Sequence, residues 1–227
     1  MDWRILCDFD GTIALEDVTD SILDRFALDG WEDIEDEWKN GQIGSRECMA
    51  RQVDLIRASR LELDDHLDSV AIDPTFPVFA AACKKAGVRL TVVSDGLDYA
   101  ISRILGRHGL DDLPILANHL ETTGPRRYRL AFPNANATCS KASGTCKCKI
   151  AEAQTTDRAL SLLIGDGASD MCAANSVDLV FAKDKLLAYC RSEGLPFVAF
   201  RDFAHANDLL ATLLDEPLRL GVAVAFG

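Results

Sequence analysis

From Pro74 onwards, helical and strand patterns alternate along the chain, and this alternation restricts the fold more than any other feature of the sequence. A first apolar strand is predicted at residues 3–7, and later strands at 89–93, 115–117, 161–164, 179–181 and 197–200. Between them we predict a helix ending at residue 86, a helix over 99–107, and helices beginning near residues 149, 169, 185 and 204. The alternation favours an α/β, Rossmann-like parallel sheet with helices on both faces.

The segment between the first strand and Pro74 does not follow this alternation. Apolar residues such as Val18, Ile22 and Phe26 recur there at helical spacing, and no strand pattern is evident. We therefore predict a small helical cap domain over residues 16–72, inserted into a core domain made of residues 1–15 and 73–227.

Polar side chains follow the predicted strands at the points where each strand ends. In parallel sheets, ligands collect beyond these carboxyl ends, so the residues concerned should converge on one crevice. A single such residue is usually a turn or a helix cap, but an ordered set of them indicates a site. The set is Asp8 and Asp10, then Ser94, Asp95 and Gly96, then Lys149 at a helix start, and finally Asp166 and Asp170.

These residue types suit phosphoryl transfer. Carboxylates, together with a backbone carbonyl, are the hard oxygen ligands that Mg²⁺ prefers, and we predict a magnesium site. Asp8 is the candidate nucleophile, Asp10 the candidate acid and base, and Lys149 and Ser94 the candidate contacts to the phosphoryl oxygens. The predicted metal-binding residues are Asp8, Asp10, Asp166 and Asp170.

Four stretches together resemble the haloacid dehalogenase superfamily of phosphatases. They are Asp8-Phe9-Asp10-Gly11-Thr12, Val93-Ser94-Asp95-Gly96, Lys149, and Gly165-Asp166-Gly167-Ala168-Ser169-Asp170. The resemblance implies a Mg²⁺-dependent phosphomonoesterase that forms an aspartyl-phosphate on Asp8. It also implies that the helical segment after the first motif acts as a lid over the substrate.

Two branches of this superfamily bear on the substrate, a small phosphorylated metabolite. Asp17 matches the position at which phosphoserine phosphatases meet the substrate amine, whereas Arg51 falls one residue from the position of their carboxylate-binding arginine. A helix cap for Asp17 and a surface helix position for Arg51 are the structural alternatives. With Ser94, Asp95 and Gly96, these two residues form the predicted substrate-binding set.

A closer resemblance is to the methionine-salvage phosphatases that act on 2-hydroxy-3-keto-5-methylthiopentenyl 1-phosphate. The matching stretches are Cys7 to Ile13, Asn118-His119, Gly144-Thr145-Cys146 with Cys148-Lys149, and Phe181-Ala182-Lys183-Asp184 with Leu186-Leu187 and Cys190. We therefore predict methionine salvage. The alternatives are a phosphoserine phosphatase, a broad small-metabolite phosphatase, a phosphotransferase using the same residues, and a non-catalytic binding protein.

Composition disfavours polyanionic and membrane partners. Acidic residues outnumber basic ones 36 to 24, giving a net charge of -12. The dense basic cluster Arg126-Arg127-Tyr128-Arg129 is interpreted as a solvated hairpin face, and no apolar stretch approaches the roughly 20 residues that span a bilayer. We expect a cytoplasmic protein that binds neither nucleic acid nor membrane. The apolar stretch at residues 218–227 either closes the core or forms the contact of a homodimer.

The eight cysteines fall into two groups. Cys7, Cys48, Cys83, Cys172 and Cys190 are dispersed in packing positions of a reducing compartment. Cys139, Cys146 and Cys148 crowd into one polar loop, where zinc binding with His119, a loop disulfide and ordinary free thiols all stay open, with free thiols preferred.

Overall fold

The structure is a computed structural model that describes residues 2–139, 141–154 and 159–215. The apolar stretch at residues 218–227, for which we predict core closure or a subunit contact, lies outside the described residues. No helix in the described ranges is long and apolar enough to cross a membrane.

Seven strands form one sheet in the order β4-β3-β2-β1-β5-β6-β7. Hydrogen bonding is parallel from β2 through β1, β5 and β6 to β7, whereas β3 and β4 pair antiparallel. The predicted α/β class is therefore confirmed, with an antiparallel hairpin added at one edge. The strands are β1 Asp2–Cys7, β2 Arg89–Leu97, β3 Ile115–Gly124, β4 Arg127–Ala131, β5 Ala159–Gly165, β6 Leu179–Ala182 and β7 Phe197–Ala199.

Ten helices accompany these strands in the described part of the chain. Four of them, α1 to α4, lie in the segment for which a helical domain is predicted, and the others alternate with the strands as expected. They are α1 Val18–Phe26, α2 Trp31–Lys39, α3 Ser45–Asp54, α4 Arg60–Leu67, α5 Phe76–Lys85, α6 Asp98–Gly106, α7 Lys147–Gln154, α8 Met171–Ala174, α9 Asp184–Glu193 and α10 Phe203–Asp215.

The described residues divide into two compact units. The described residues of the first unit fall within Met1–Ile13, Ile72–Val92 and Lys147–Gly227, and those of the second within Ala14–Ala71 and Val93–Cys146. The helices α1 to α4 thus share a unit with β3, β4 and α6. The division into a core and a cap over residues 16–72 stays a prediction.

The region between residues 123 and 145 contains the strand β4, which is not among the strands predicted from the sequence. Tyr128 and Leu130 are buried while Arg127 and Arg129 are exposed, which is the alternation of a half-buried edge strand. Arg126 pairs with Glu62 and Arg129 with Glu121. The three arginines of the basic cluster therefore lie on a solvated hairpin face, as predicted, and two of them have acidic partners.

Aromatic packing around Phe203 fixes the position of α10 in the first unit. Its ring lies 4.7 Å from that of Phe76, 5.2 Å from Phe79 and 6.0 Å from Phe200, measured between centroids. The buried carboxylate of Asp73 accepts hydrogen bonds from the Phe203 N–H (2.9 Å) and from the N–H of Thr75 (2.8 Å). One side chain thus ties the beginning of α10 to the beginning of α5.

This carboxylate should make stability depend on pH. Burial raises the pKa of Asp73, but the hydrogen bonds from Thr75 and Phe203 outweigh burial and leave the pKa below its ordinary value. A lowered folded-state pKa stabilises the fold above the unfolded pKa of about 3.9, and the gain is lost as pH falls through the folded pKa.

We expect Asp73→Asn to lower the free energy of unfolding by about 1–3 kcal/mol at pH 7, because the amide nitrogen would face a backbone donor. The difference from the unsubstituted protein should shrink below about pH 4. Urea denaturation at a series of pH values measures both effects. A difference that stays constant from pH 7 to pH 3 would contradict this role of the carboxylate.

Candidate active site

The site in the first unit begins where β1 ends. Cys7 lies opposite Ile164 of β5, and the Asp8 N–H donates to the Ile164 carbonyl at 2.9 Å. Because the two strands are parallel neighbours, the residues that follow them emerge at the same edge of the sheet. The register thereby brings Asp8 beside the loop that carries Asp166.

A tight turn follows Asp8 and places Gly11 against Asp166. The N–H groups of Thr12 and Ile13 both donate to the Phe9 carbonyl. Gly11 has a φ of +70°, and a Cβ there would lie 2.7 Å from Asp166 Oδ2. Glycine is required both by the left-handed conformation and by this close approach. The next residue, Thr12, donates its hydroxyl to Asp166 Oδ1 at 2.9 Å.

Lys147 lies at the centre of the site, between two aspartates. Its Nζ donates to Asp8 Oδ1 at 2.6 Å and to Asp170 Oδ1 at 2.7 Å, and it lies 3.1 Å from Ser169 Oγ. The side chains of Lys147, Asp8 and Asp170 are only 3%, 6% and 0% exposed. Burial would lower the pKa of Lys147, but the two carboxylates outweigh it and raise the pKa, so the lysine stays charged.

The turn after β5 holds Asp170 in place. Its Oδ2 accepts hydrogen bonds from the backbone N–H groups of Asp166 and Gly167, at 3.3 and 3.2 Å. A Cβ on Gly165 would lie 2.5 Å from the same oxygen, so a larger residue there would displace the carboxylate. The loop from Gly165 to Asp170 therefore orients the second partner of Lys147.

The charges of the site fit a divalent cation. Carboxylate oxygens of Asp8, Asp166 and Asp170 lie within 4.8 Å of one another. Burial raises the pKa of Asp8 and of Asp166, and the nearby Asp170 raises both further. One ammonium does not balance three carboxylates, and three hard oxygens are a suitable donor set for Mg²⁺. Asp10, the fourth predicted ligand, is half-buried in the same turn and is not part of this oxygen group.

The structure places Lys147, and not the predicted Lys149, among the aspartates. Lys149, which the sequence analysis assigned to the phosphoryl oxygens, is 63% exposed and pairs with Glu152 on the surface of α7. Side chains two positions apart on a helix point about 200° away from each other, so Lys147 and Lys149 cannot face the same site from one helix. The sequence analysis considered only Lys149, because it placed the beginning of this helix near residue 149, whereas α7 begins at Lys147. Thr12 and Ser169, although part of the motifs, were also not given roles.

The second unit contains the remaining predicted residues. Ser94 is buried, and its Oγ accepts a hydrogen bond from the Gly96 N–H at 2.9 Å. Asp95 Oδ1 accepts from the Thr145 N–H at 2.8 Å, and Asp95 Oδ2 from Ser45 Oγ at 2.7 Å. The structure therefore gives the Asp95 carboxylate protein partners rather than an open binding position.

Asp17 and Arg51 adopt the structural alternatives considered above. Asp17 is the N-cap of α1 and accepts a hydrogen bond from the Asp20 N–H at 2.9 Å. Arg51 forms two hydrogen bonds with the Glu37 carboxylate, at 2.5 and 2.9 Å. The ligand roles of both residues stay predictions.

The cysteines are consistent with a thiol-containing interior. Cys7, Cys48, Cys83, Cys146 and Cys190 are buried, and Cys139, Cys148 and Cys172 are half-buried. None of these eight described residues forms a disulfide, so a loop disulfide is not part of this structure.

Comparison with known proteins agrees with this fold. A chain named 2-hydroxy-3-keto-5-methylthiopentenyl-1-phosphate phosphatase from Exiguobacterium sp. is 30% identical over 206 residues, covering 89% of this chain and 94% of the relative. Pdp3-interacting factor 1 of Schizosaccharomyces pombe is 28% identical over 218 residues, covering 92% of this chain and 95% of that relative. A solved phosphoserine phosphatase, with an analogue of the phospho-aspartyl intermediate, superposes with a TM-score of 0.66 at 20% identity and covers 92% of this chain and 98% of its own.

The likeness to the solved structure shows a shared fold, and the sequence matches go further. The family model described as haloacid dehalogenase-like hydrolase matches residues 5–175, which include Asp8, Lys147, Asp166 and Asp170. The predictions of the superfamily and of a hydrolase are confirmed: the chain belongs to the haloacid dehalogenase-like hydrolases.

Proposed function

We propose that the chain is a Mg²⁺-dependent phosphomonoesterase that transfers the phosphoryl group of a small metabolite to Asp8 and then to water. The observation that carries this proposal is the buried contact of Lys147 with both Asp8 and Asp170. A doubly charged phosphate approaches a carboxylate only where positive charge is already in place. Lys147 supplies that charge without needing to move.

In the first step, a carboxylate oxygen of Asp8 forms a bond to phosphorus as the bond from phosphorus to the substrate oxygen breaks. Asp10 donates a proton to the departing alkoxide, so the alcohol leaves neutral. Hydrogen bonds from the Phe9 N–H (2.8 Å) and from Lys147 keep the Asp8 carboxylate oriented for attack. We assign Ser94 to bind a phosphoryl oxygen through its hydroxyl.

In the second step, water attacks the phosphorus of the aspartyl-phosphate. Asp10, now a carboxylate, accepts a proton from this water, and the bond from phosphorus to the Asp8 oxygen breaks. Inorganic phosphate and the free Asp8 carboxylate are the products. Lys147 remains between Asp8 and Asp170 and stabilises the negative charge in both steps.

Asp8, Asp166 and Asp170 would hold the Mg²⁺ ion, with the Asp10 backbone carbonyl as a further proposed ligand. The ion supplies Lewis-acid stabilisation of phosphoryl charge when bound. Thr12 and the backbone N–H groups of Asp166 and Gly167 support this arrangement by orienting Asp166 and Asp170.

For the substrate, we propose 2-hydroxy-3-keto-5-methylthiopentenyl 1-phosphate. The support is a relative of that name whose sequence matches over 94% of its length at 30% identity. Phosphoserine is the second candidate, because Asp17 matches the position at which phosphoserine phosphatases meet the substrate amine. However, the Arg51 guanidinium is paired with Glu37, which weighs against Arg51 as a carboxylate receptor. A cytoplasmic location and a homodimer belong to the same proposal.

Asp8→Asn should abolish turnover, with kcat reduced by about 10³-fold or more, because an amide oxygen is a poor nucleophile. Phosphate release measured with Mg²⁺ checks the rate, and thermal unfolding checks that the variant is folded. Appreciable turnover by folded, purified Asp8→Asn would contradict the covalent mechanism.

The two neighbouring lysines provide a matched pair of variants. Lys147→Met should lower kcat on the order of 10²-fold or more, because it removes the charge that faces the phosphoryl group. Lys149→Met should leave kcat within about 2-fold, since Lys149 is solvated and pairs with Glu152.

Lys147→Arg, which preserves the charge, separates lost catalysis from the cost of two unpaired buried carboxylates. The midpoint temperature of its thermal unfolding should lie closer to that of the unsubstituted protein than the midpoint of Lys147→Met does. Equal kcat losses in Lys147→Met and Lys149→Met would contradict the assignment of Lys147.

A panel of phosphorylated metabolites tests the substrate. We expect the kcat/KM for the methylthiopentenyl phosphate, generated in situ, to exceed that for phosphoserine by at least about 10²-fold, and EDTA to abolish phosphate release. Added acceptor alcohols in the same assay reveal any phosphotransferase product. Preference for phosphoserine would contradict the proposed substrate, and activity that metal removal leaves unchanged would contradict the proposed magnesium site.

A further inference from the structure

Asp95 lies where several segments of the second unit meet. Its Oδ1 accepts hydrogen bonds from the Thr145 N–H at 2.8 Å and from Asn118 Nδ2 at 3.1 Å. Asn118 and Thr145 are both buried, and Thr145 Oγ1 donates to Asn118 Oδ1 at 3.2 Å. One hydrogen-bonded polar cluster thus joins the end of β2, the strand β3 and the loop before residue 146.

The helix α3 is bound to the same cluster. Ser45 Oγ donates to Asp95 Oδ2 at 2.7 Å, and Asn118 Nδ2 lies 3.6 Å from the Met49 sulfur. Ser45 and Met49 are four residues apart and therefore lie on one face of α3. The Asp95 carboxylate also lies beside the N-terminal turn of this helix, where negative charge is favourable.

The loop over residues 142–145 packs closely against these partners. The Ala142 carbonyl accepts a hydrogen bond from the Arg46 N–H at 3.0 Å, and Ala142 itself has a φ of +46°. A Cβ on Gly44 would lie 2.6 Å from the Ala142 Cβ, and a Cβ on Gly144 would lie 2.4 Å from Asn118 Oδ1. The loop therefore has little space in which to shift.

We propose that Asp95 is a positioning residue, which fixes the loop over residues 142–145 and through it the catalytic geometry of Lys147. Lys147 follows Thr145 by two residues, so a displacement of the Thr145 backbone is transmitted to Lys147 over at most about 7 Å of chain. Small misplacement of a catalytic group is enough to reduce the rate by about 10²-fold. This inference rests on the proposed function, because it assigns Asp95 to the reaction of that site.

Three variants test the role by kinetics. Asp95→Ala removes the acceptor of the Thr145 N–H and should lower kcat by about 10²-fold with KM within about 3-fold. Asp95→Asn retains the Oδ1 acceptor and should restore kcat to within about 5-fold of the unsubstituted protein. Asp178→Ala is the matched control, because Asp178 is also half-buried and accepts from the Ser161 N–H and hydroxyl, both at 2.7 Å.

Asp178→Ala should reduce thermal stability about as much as Asp95→Ala does, but its kcat should stay within about 2-fold of the unsubstituted protein. Folded Asp95→Ala with unchanged kcat would overturn the positioning role. An equal loss of kcat in Asp178→Ala would overturn it as well, because the effect would then follow general destabilisation.

Hydrogen exchange provides a readout that needs no substrate. The Thr145 amide should exchange at least about 10-fold faster in Asp95→Ala than in the unsubstituted protein or in Asp178→Ala. Absence of metal-dependent phosphate release by the unsubstituted protein would contradict the proposed function. Unchanged exchange at Thr145 in Asp95→Ala would instead contradict the positioning role.

Discussion

The ammonium group of Lys147 is shared by the carboxylates of Asp8 and Asp170 in a region that is almost fully closed to solvent. Removing three charged groups from water is costly, and it is compensated only when each group has close partners of opposite charge. The backbone N–H groups of Asp166 and Gly167 provide further partners for Asp170. The site therefore depends on the turn after β5 as much as on the side chains.

Sheet register makes this charge cluster geometrically feasible. The pairing of Cys7 with Ile164 brings the ends of β1 and β5 level, so that residues distant in sequence begin their loops side by side. Glycine at positions 11 and 165 then allows carboxylates to approach the backbone more closely than any Cβ would permit. The chemistry of the site thus requires small residues as well as charged ones.

A carboxylate has a different use in the second unit. Asp95 receives hydrogen bonds from Ser45, Asn118 and Thr145, and so connects backbone segments instead of presenting an unpaired charge. Asp73 plays a similar part in the first unit, where it joins Thr75 and Phe203. Carboxylates of this kind are stabilised by donors from several elements, and their roles follow from those partners rather than from the motif in which they occur.

Much of the fold was predictable from local patterns. Alternating helix and strand signals identified the α/β sheet, and the acidic residues at strand ends identified Asp8, Asp166 and Asp170, because side-chain periodicity and strand direction are local properties. A hairpin was predicted at the basic cluster, but the strand β4 was not located, since Tyr128 and Leu130 are only two apolar positions between arginines. The partners of Asp95 and Arg51, which are Thr145 and Glu37, are not visible from sequence spacing alone.

The sequence by itself determined that carboxylates would gather at one edge of a parallel sheet and that a lysine near the beginning of a helix would join them. Only the tertiary structure decided which lysine. Lys147 and Lys149 are chemically identical and two residues apart, and the direction of each depends on where α7 begins. One orientation places the ammonium between Asp8 and Asp170 and the other places it in water, because a helix turns by about 100° per residue.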